Sequence, residues 1–424
     1  MTYEEKKTRA NELRKAQHYS DALILYRELY NKVDDKFNLS GLLHCLRKTD
    51  NLEEAVRLAD EVKNKYIDFE WFKNEIIWTL IQGKLFKIPE DGDVNTTIEE
   101  ANRILELNPD QFAKATIIFR VLKVAKKNSD WKTISEWSSK LDVDTLNDEP
   151  LLDDKGHEGW SKKSIWYNYR IKALIEDERY DEAEILTEQA ITLYPKFKKF
   201  FLRLKGIIKV KQGNLEEAKL CYEEIIKVRN VDWWLLHEYG RVLTNIGDRG
   251  NALQNFYLAA SKSFKLENSV KLFYDISALC IELERYPEAA AHLYLTKFLR
   301  ESKGWGIPDE INSSFQTLAD KKINISYPDL KSALNECKKF WSSESDNNND
   351  KVSSNNIIGI LSIVSTEQPF AFIKTKEYGK VFCLKKDLPK SANDGDKVEF
   401  KMVKSFDKKK NIESWKAINI KKVH

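Results

Sequence analysis

Phe370 and Phe372 sit one residue apart in the run FAFIK, followed by lysines at 374, 376, 380, 385 and 386. Side chains alternate along a strand, so both rings share one face if this run is extended. Rings on an open face stack on other flat π systems, and ammonium groups beside them hold anions. The charge distribution fits that chemistry. Residues 357–424 carry 15 Lys, no Arg and 8 acidic residues, a net charge of +7, while the preceding 356 residues carry −4. A small basic module on a mildly acidic scaffold is the pattern expected when only the tail meets phosphate.

Motifs for bond-making chemistry are missing. The chain has no G-x-x-x-x-G-K-[ST], G-x-G-x-x-G, G-x-S-x-G or H-E-x-x-H motif. Its six histidines do not cluster, and His44 and Cys45, though adjacent, face different ways on a helix. Acidic pairs such as Glu216-Glu217 read as solvated helix faces. A non-enzymatic chain without metal or other cofactor is expected.

The elements that must position the rings are short strands. IIGILSIV, FAFIK, KVFCL, KVEFKMV and WKAINIKK alternate with period two, and five such runs in under 70 residues predict a small closed barrel of the oligonucleotide-binding class. GILSIVSTEQPFAFIK, KVFCL and NDGDKVEFKMV resemble, in order, the first two strands, the second aromatic motif and the Gly-Asp turn of a cold-shock domain. That resemblance implies single-stranded nucleic acid on the two central strands. Phe382 then joins Phe370 and Phe372, and Lys374, Lys376, Lys380, Lys385 and Lys386 meet phosphates. Trp415 either lies beside the rings or closes the barrel, and Lys408-Lys409-Lys410 reads as a solvated loop. The chain departs from the family at Ile363 and Val364 (usually Trp-Phe), Gln368-Pro369 (Lys-Gly), Ala371 (Gly), Leu384 (His) and Lys385 (aromatic). The departures predict a platform of three rings and weaker binding. They also leave open a core or protein-contact role for those rings.

Upstream, the pattern turns helical and repeats. GIIKVKQGNLEEAKLCYEEII (206–226) and GRVLTNIGDRGNALQNFYLAA (240–260) align at an offset of 34 residues, with Gly over Gly, Ala over Ala and Tyr222 over Phe256. A small residue lets two helices approach, a turn Gly supplies positive φ, and Ala218 or Ala252 sits where they cross. This resembles the tetratricopeptide repeat. The crossing slot recurs at Ala22, Ala55, Thr97, Ile134, Ala183, Ala218, Ala252 and Ala289, which predicts about eight repeats in a mainly α, superhelical α-α solenoid. Wider spacing marks loops inserted at 85–93 and 148–163. YPDLKSALNECKKFW reads as a capping helix. The expected domains are a helical repeat at 1–341, a flexible linker at 342–356 and the barrel at 357–424.

Little Gly or Pro and no 20-residue apolar window argue for a helical chain without a membrane span. No signal peptide is evident at the start, and five scattered cysteines read as reduced, mostly buried thiols of a cytoplasmic protein. The resemblance to the repeat family implies a groove lined by first helices. There Asn168, Lys172, Arg203, His237, Arg241 and Asn245 make a polar, mildly basic surface for a carboxylate-bearing peptide. The function expected first is an adaptor that holds a protein partner in the repeats and single-stranded nucleic acid, RNA ahead of DNA, on the barrel. The alternatives are a scaffold whose barrel contacts protein, and a regulatory subunit of a larger, defence-related system.

Overall fold

The computed structural model describes residues 1–227, 231–349, 357–363, 368–375, 378–389, 391–407 and 412–423. Within them the chain forms two compact units, Met1–Asn214 and Leu215–His424.

The first unit holds eleven α-helices: α1 (Tyr3–Lys15), α2 (Tyr19–Lys32), α3 (Lys36–Lys48), α4 (Leu52–Val62), α5 (Glu70–Gly83), α6 (Val94–Leu105), α7 (Gln111–Lys127), α8 (Trp131–Ser139), α9 (Lys162–Glu176), α10 (Tyr180–Leu193) and α11 (Lys198–Lys211). The second holds α12 (Leu215–Ile226), α13 (Trp233–Ile246), α14 (Arg249–Lys262), α15 (Val270–Glu282), α16 (Tyr286–Ser302), α17 (Asp309–Asp320), α18 (Leu330–Asn349) and the barrel strands. Odd-numbered helices through α15 are first helices of a repeat, and even-numbered helices through α16 are second helices. All eight predicted crossing positions fall on second helices and are fully buried, Thr97 and Ile134 included.

The turn inside seven of the eight pairs explains why the repeat is hard to read. A helix that reverses tightly ends in one left-handed residue, whose neighbour donates its N–H back to the last helical turn. That bond recurs as His18 to Leu13, Asn51 to Leu46, Asp130 to Ala125, Arg179 to Leu174, Asn214 to Lys209, Asp248 to Leu243 and Arg285 to Cys280. Glycine fills the left-handed position only at Gly213 (φ 79°) and Gly247 (φ 95°). Gln17, Asp50, Ser129, Glu178 and Glu284 hold φ between 56° and 64° without it.

Close approach is visible at Gly240 and Gly41. A methyl group on Gly240 would lie 2.4 Å from the Phe256 ring, and one on Gly41 2.2 Å from Tyr26. The insertion read as a loop at 148–163 instead forms a hairpin, β1 (Pro150–Leu152) and β2 (Glu158–Ser161). Two strands alone are marginal in water. This pair is held because Trp160 stacks on Phe197 at 4.4 Å and Lys196 Nζ donates to the Glu158 carbonyl.

The capping helix α18 packs on α14 and α16. Trp341 from α18 lies flat on Phe273, at 5.7 Å and 8°, and its indole N–H donates to Nε2 of the fully buried His292. The helix continues to Asn349, through the first part of the segment read as linker. Residues 350–356 lie outside the described residues. All five cysteines are buried, and burial pushes the Cys45 and Cys280 thiols up to about 12. Among the described residues no helix is long and apolar enough to cross a membrane.

Candidate nucleic-acid interface

Five strands close the C-terminal barrel: β3 (Ile357–Ser362), β4 (Phe370–Thr375), β5 (Gly379–Leu384), β6 (Lys397–Asp407) and β7 (Ile412–Lys422), in the order β3-β4-β5-β7-β6. Alternation decides what each strand hides. Leu361, Ala371, Ile373, Val381, Cys383, Val398, Phe400, Met402, Ala417 and Ile420 form the core. At Gly359 β3 runs close against β4, since a methyl group there would meet the Ile373 side chain at 2.5 Å.

The same alternation turns the three phenylalanines outward. Phe372 stands opposite Phe382 across the β4–β5 ladder, and Phe370 opposite Leu384. All three rings are partly exposed, with centroids 5.7 Å (Phe370–Phe372), 5.7 Å (Phe370–Phe382) and 6.2 Å (Phe372–Phe382) apart. They form one cluster on the outer face of the two central strands, backed by the core. The core role left open for these rings does not occur.

Around them, Lys374 and Lys380 are exposed and lie opposite each other in the ladder. Lys385, half-buried, and Lys386, exposed, sit in the short turn after β5. Lys376 and Lys408 to Lys410 lie outside the described residues. Trp415 is packed against the barrel core, on the side of Ala417. Its neighbour Lys416 shares register with Phe382 and pairs with Asp387 at 3.1 Å. Trp415 therefore closes the barrel rather than joining the rings.

The departures from the cold-shock pattern have structural counterparts. Ile363 packs against the core, and its N–H donates to Asp394 at 2.7 Å. Val364 lies outside the described residues. Ala371 fits the inward slot with no exposure. Leu384 extends the outer face with an apolar side chain where a histidine would hydrogen-bond. Sequence reasoning passed over Ile358 and Ile360, 51% and 53% exposed on β3, and Tyr378, 44% exposed at the β4–β5 turn. The isoleucine alternation was legible in IIGIL, and Ile360 lies opposite Lys374. The outer face is thus wider and more apolar than three rings.

The residues expected in the repeat groove fall in both units. Asn168 and Lys172 are on α9 and Arg203 is on α11. His237, Arg241 and Asn245 are on α13. Around α13 the surface carries both signs of charge. Asp275 from α15 accepts from His237 Nε2 at 2.8 Å and pairs with Lys271 at 3.2 Å and Arg241 at 3.7 Å. Burial raises the Asp275 carboxyl, and its contacts with His237 and Lys271 outweigh this and hold it below the usual value. Arg241, Asn245, Phe256, Asp275, Leu279 and Glu282 line a small cavity there of about 130 Å³. Among the described residues no group of histidine, cysteine and carboxylate side chains could hold a metal ion.

Paired helices with a buried crossing residue, followed by a closed barrel with an outward aromatic cluster, define a tetratricopeptide-type repeat protein with an oligonucleotide-binding-class barrel. Residues 359–420 of that barrel match the S1/CSD-like domain 2 of the TOTE conflict systems. None of the curated proteins matches the chain. Among solved structures, PilF of Pseudomonas aeruginosa is similar at 19% identity and a TM-score of 0.37, over 61% of this chain and 98% of that one. A tetratricopeptide repeat protein from Parabacteroides merdae is similar at 14% identity and 0.31, over 64% and 96%. A signal-transduction ATPase with a tetratricopeptide repeat sensor from Pyrococcus horikoshii is similar at 13% identity and 0.45, over 78% and 54%.

Proposed function

We propose that this chain is a non-enzymatic, cytoplasmic adaptor whose barrel binds single-stranded nucleic acid, RNA ahead of DNA, while its helical repeats hold a protein partner. The supporting observation is the outward cluster of Phe370, Phe372 and Phe382 with Lys374 and Lys380 beside it. A core that is already complete without these rings leaves them available to unpaired bases, each stacked base contributing about 1–3 kcal/mol. Lys385 and Lys386 extend the cationic border, and Lys376 is proposed from its sequence position alone as a further phosphate contact. The partner site on the repeats is the α13–α15 surface around the cavity, where Arg241 and Asn245 are exposed above Phe256.

Two variants test the barrel. Phe370→Ala with Phe382→Ala in the full chain should weaken binding of single-stranded RNA or DNA by at least tenfold in fluorescence anisotropy. Unchanged affinity for both, with a protein partner lost instead, would show that the barrel is a protein contact. The match to a TOTE domain favours a second placement, as a subunit of such a system with the catalytic parts on other chains. Neighbouring genes encoding nucleic-acid-processing enzymes support it, and a solitary gene counts against it.

A further inference from the structure

The first helices of three successive repeats in the first unit are almost purely cationic. α7 carries Lys114, Arg120, Lys123, Lys126 and Lys127 and no acid. α9 carries Lys162, Lys163, Arg170 and Lys172 against Glu176. α11 carries Lys198, Lys199, Arg203, Lys205, Lys209 and Lys211 and no acid. The second helices between them differ sharply. α8 has one base and one acid, and α10 has Asp181, Glu182, Glu184 and Glu188 with no base.

Part of this charge is used within the fold. Lys205 and Lys209 turn to Glu188 and Glu184 of α10, and Arg120 and Lys123 to Glu90. A second part converges elsewhere. Lys126 lies 5.5 Å from the Tyr169 ring centre, so α7 and α9 meet there. Lys162 reaches back over Phe112 at 4.2 Å, a ring that is 58% exposed. Lys172 lies within electrostatic reach of Lys126 and Arg203. Burial, then those two cations, push its ammonium down to about 8. Lys162 over Phe112 and Lys126 over Tyr169 thus follow one another where α7 and α9 meet, with the charges of Glu90 near Tyr169 and of Arg203 from α11 near Lys172. Crowded like charges cost free energy until an anion arrives.

We propose that the α7–α9–α11 face, centred on Lys126, Lys162 and Lys172, binds the phosphate backbone of a single-stranded nucleic acid, independently of the barrel. Charge complementarity requires an anion of some length, because the cations extend over three helices rather than converging on one point. The interleaved rings favour a strand with unpaired bases over an acidic polypeptide, which has no flat groups to stack. This binding does not depend on the barrel's stacking face, so the two sites can fail separately.

The test uses the full chain with a long oligouridylate, across a salt series, in four forms: wild type, Phe370→Ala/Phe382→Ala, Lys126→Gln/Lys162→Gln/Lys172→Gln, and all five substitutions. The barrel variant should keep salt-sensitive binding, and the five-fold variant should lose it. The triple variant should lower the slope of log affinity against log salt by about 2, since each phosphate contact on a single strand contributes about 0.7. Lys132→Gln/Lys140→Gln/Lys155→Gln removes the same charge from elsewhere in the unit and should leave that slope within about 0.5 of wild type. Oligouridylate should also protect Lys172 from acetylation. A triple variant with unchanged slope, a barrel variant with no residual binding, or a triple variant that loses only poly-glutamate would each overturn the proposal. The last result would assign the face to an acidic protein.

Discussion

Acid should loosen the capping end of the repeats through one residue, His292. It is fully buried on α16, and both ring nitrogens are engaged. Nε2 accepts the Trp341 indole N–H at 2.8 Å, and Nδ1 donates to the Glu288 carbonyl at 2.7 Å. That pattern requires the neutral ring. A proton on Nε2 would face the indole N–H donor, with Phe273 stacked behind the indole and Tyr257 over the imidazole. Burial therefore pushes the imidazole down to about 4. The unfolded chain takes up this proton near pH 6.5, and the folded chain resists it until about pH 4. Stability from this residue is complete above about pH 6.5 and declines as pH falls through that window. At about 1.4 kcal/mol per pH unit, the decline reaches about 3 kcal/mol near pH 4 and then stops. Urea unfolding at a series of pH values, read by pulsed hydrogen exchange in α16 peptides, measures it. His292→Gln keeps an acceptor for Trp341 and cannot titrate, so its curve should be flatter than wild type by that amount. Carboxylates such as Asp275 are common to both proteins and cancel. Parallel curves for the two proteins would refute the reasoning.

Other outcomes follow from the same geometry. Glu178→Gly and Glu284→Gly relieve left-handed backbone at exposed turns and should each raise urea stability by about 1 kcal/mol. Gly240→Ala forces a methyl group into Phe256 and should cost about 1–3 kcal/mol by the same assay. Glu75 is buried between His44 and Arg47, at 2.7 Å from each, so Glu75→Gln strands a guanidinium and should cost about 3 kcal/mol in thermal or urea unfolding. Trp160→Ala should release the hairpin, seen as faster exchange and protease cleavage near residues 150–158, with the helical circular dichroism unchanged.

Residue types with one structural use were readable from sequence. An alanine that must fit a helix crossing has few substitutes, so the eight slots could be followed through Thr97 and Ile134. Alternation in FAFIK and KVFCL is equally restrictive, because a slip of one residue would bury Phe370 and expose Ala371. Features that several residue types can satisfy were not readable. The left-handed turn accepts Gln17 or Glu284 at a cost, so only two of its seven occurrences announce themselves with glycine. The hairpin at 150–161 depends on Trp160 finding Phe197 and Phe200, contacts between residues some 40 positions apart. Trp415 stood one residue from the strand face its role required, and only the register of β7 against β5 resolved it.

The basic face on α7, α9 and α11 was hidden for a different reason. Summed over residues 1–356, the charge is −4, which reads as a mildly acidic scaffold. A sum assumes that charges mix on one surface. A helix pair keeps them apart, because the faces of its first and second helices point to different places. Cations on the first helices and acids on α10 cancel in the total, although pairs such as Lys205–Glu188 and Lys209–Glu184 join some of them across the helices. In a helical repeat the informative quantity is charge per helix, taken in alternation. By that measure α7, α9 and α11 carry a net charge of +14 over 46 residues, against +7 over the 68 residues 357–424. If both hold nucleic acid, removing either should leave measurable binding, and the salt dependence should be steeper for the intact chain than for either single-site variant.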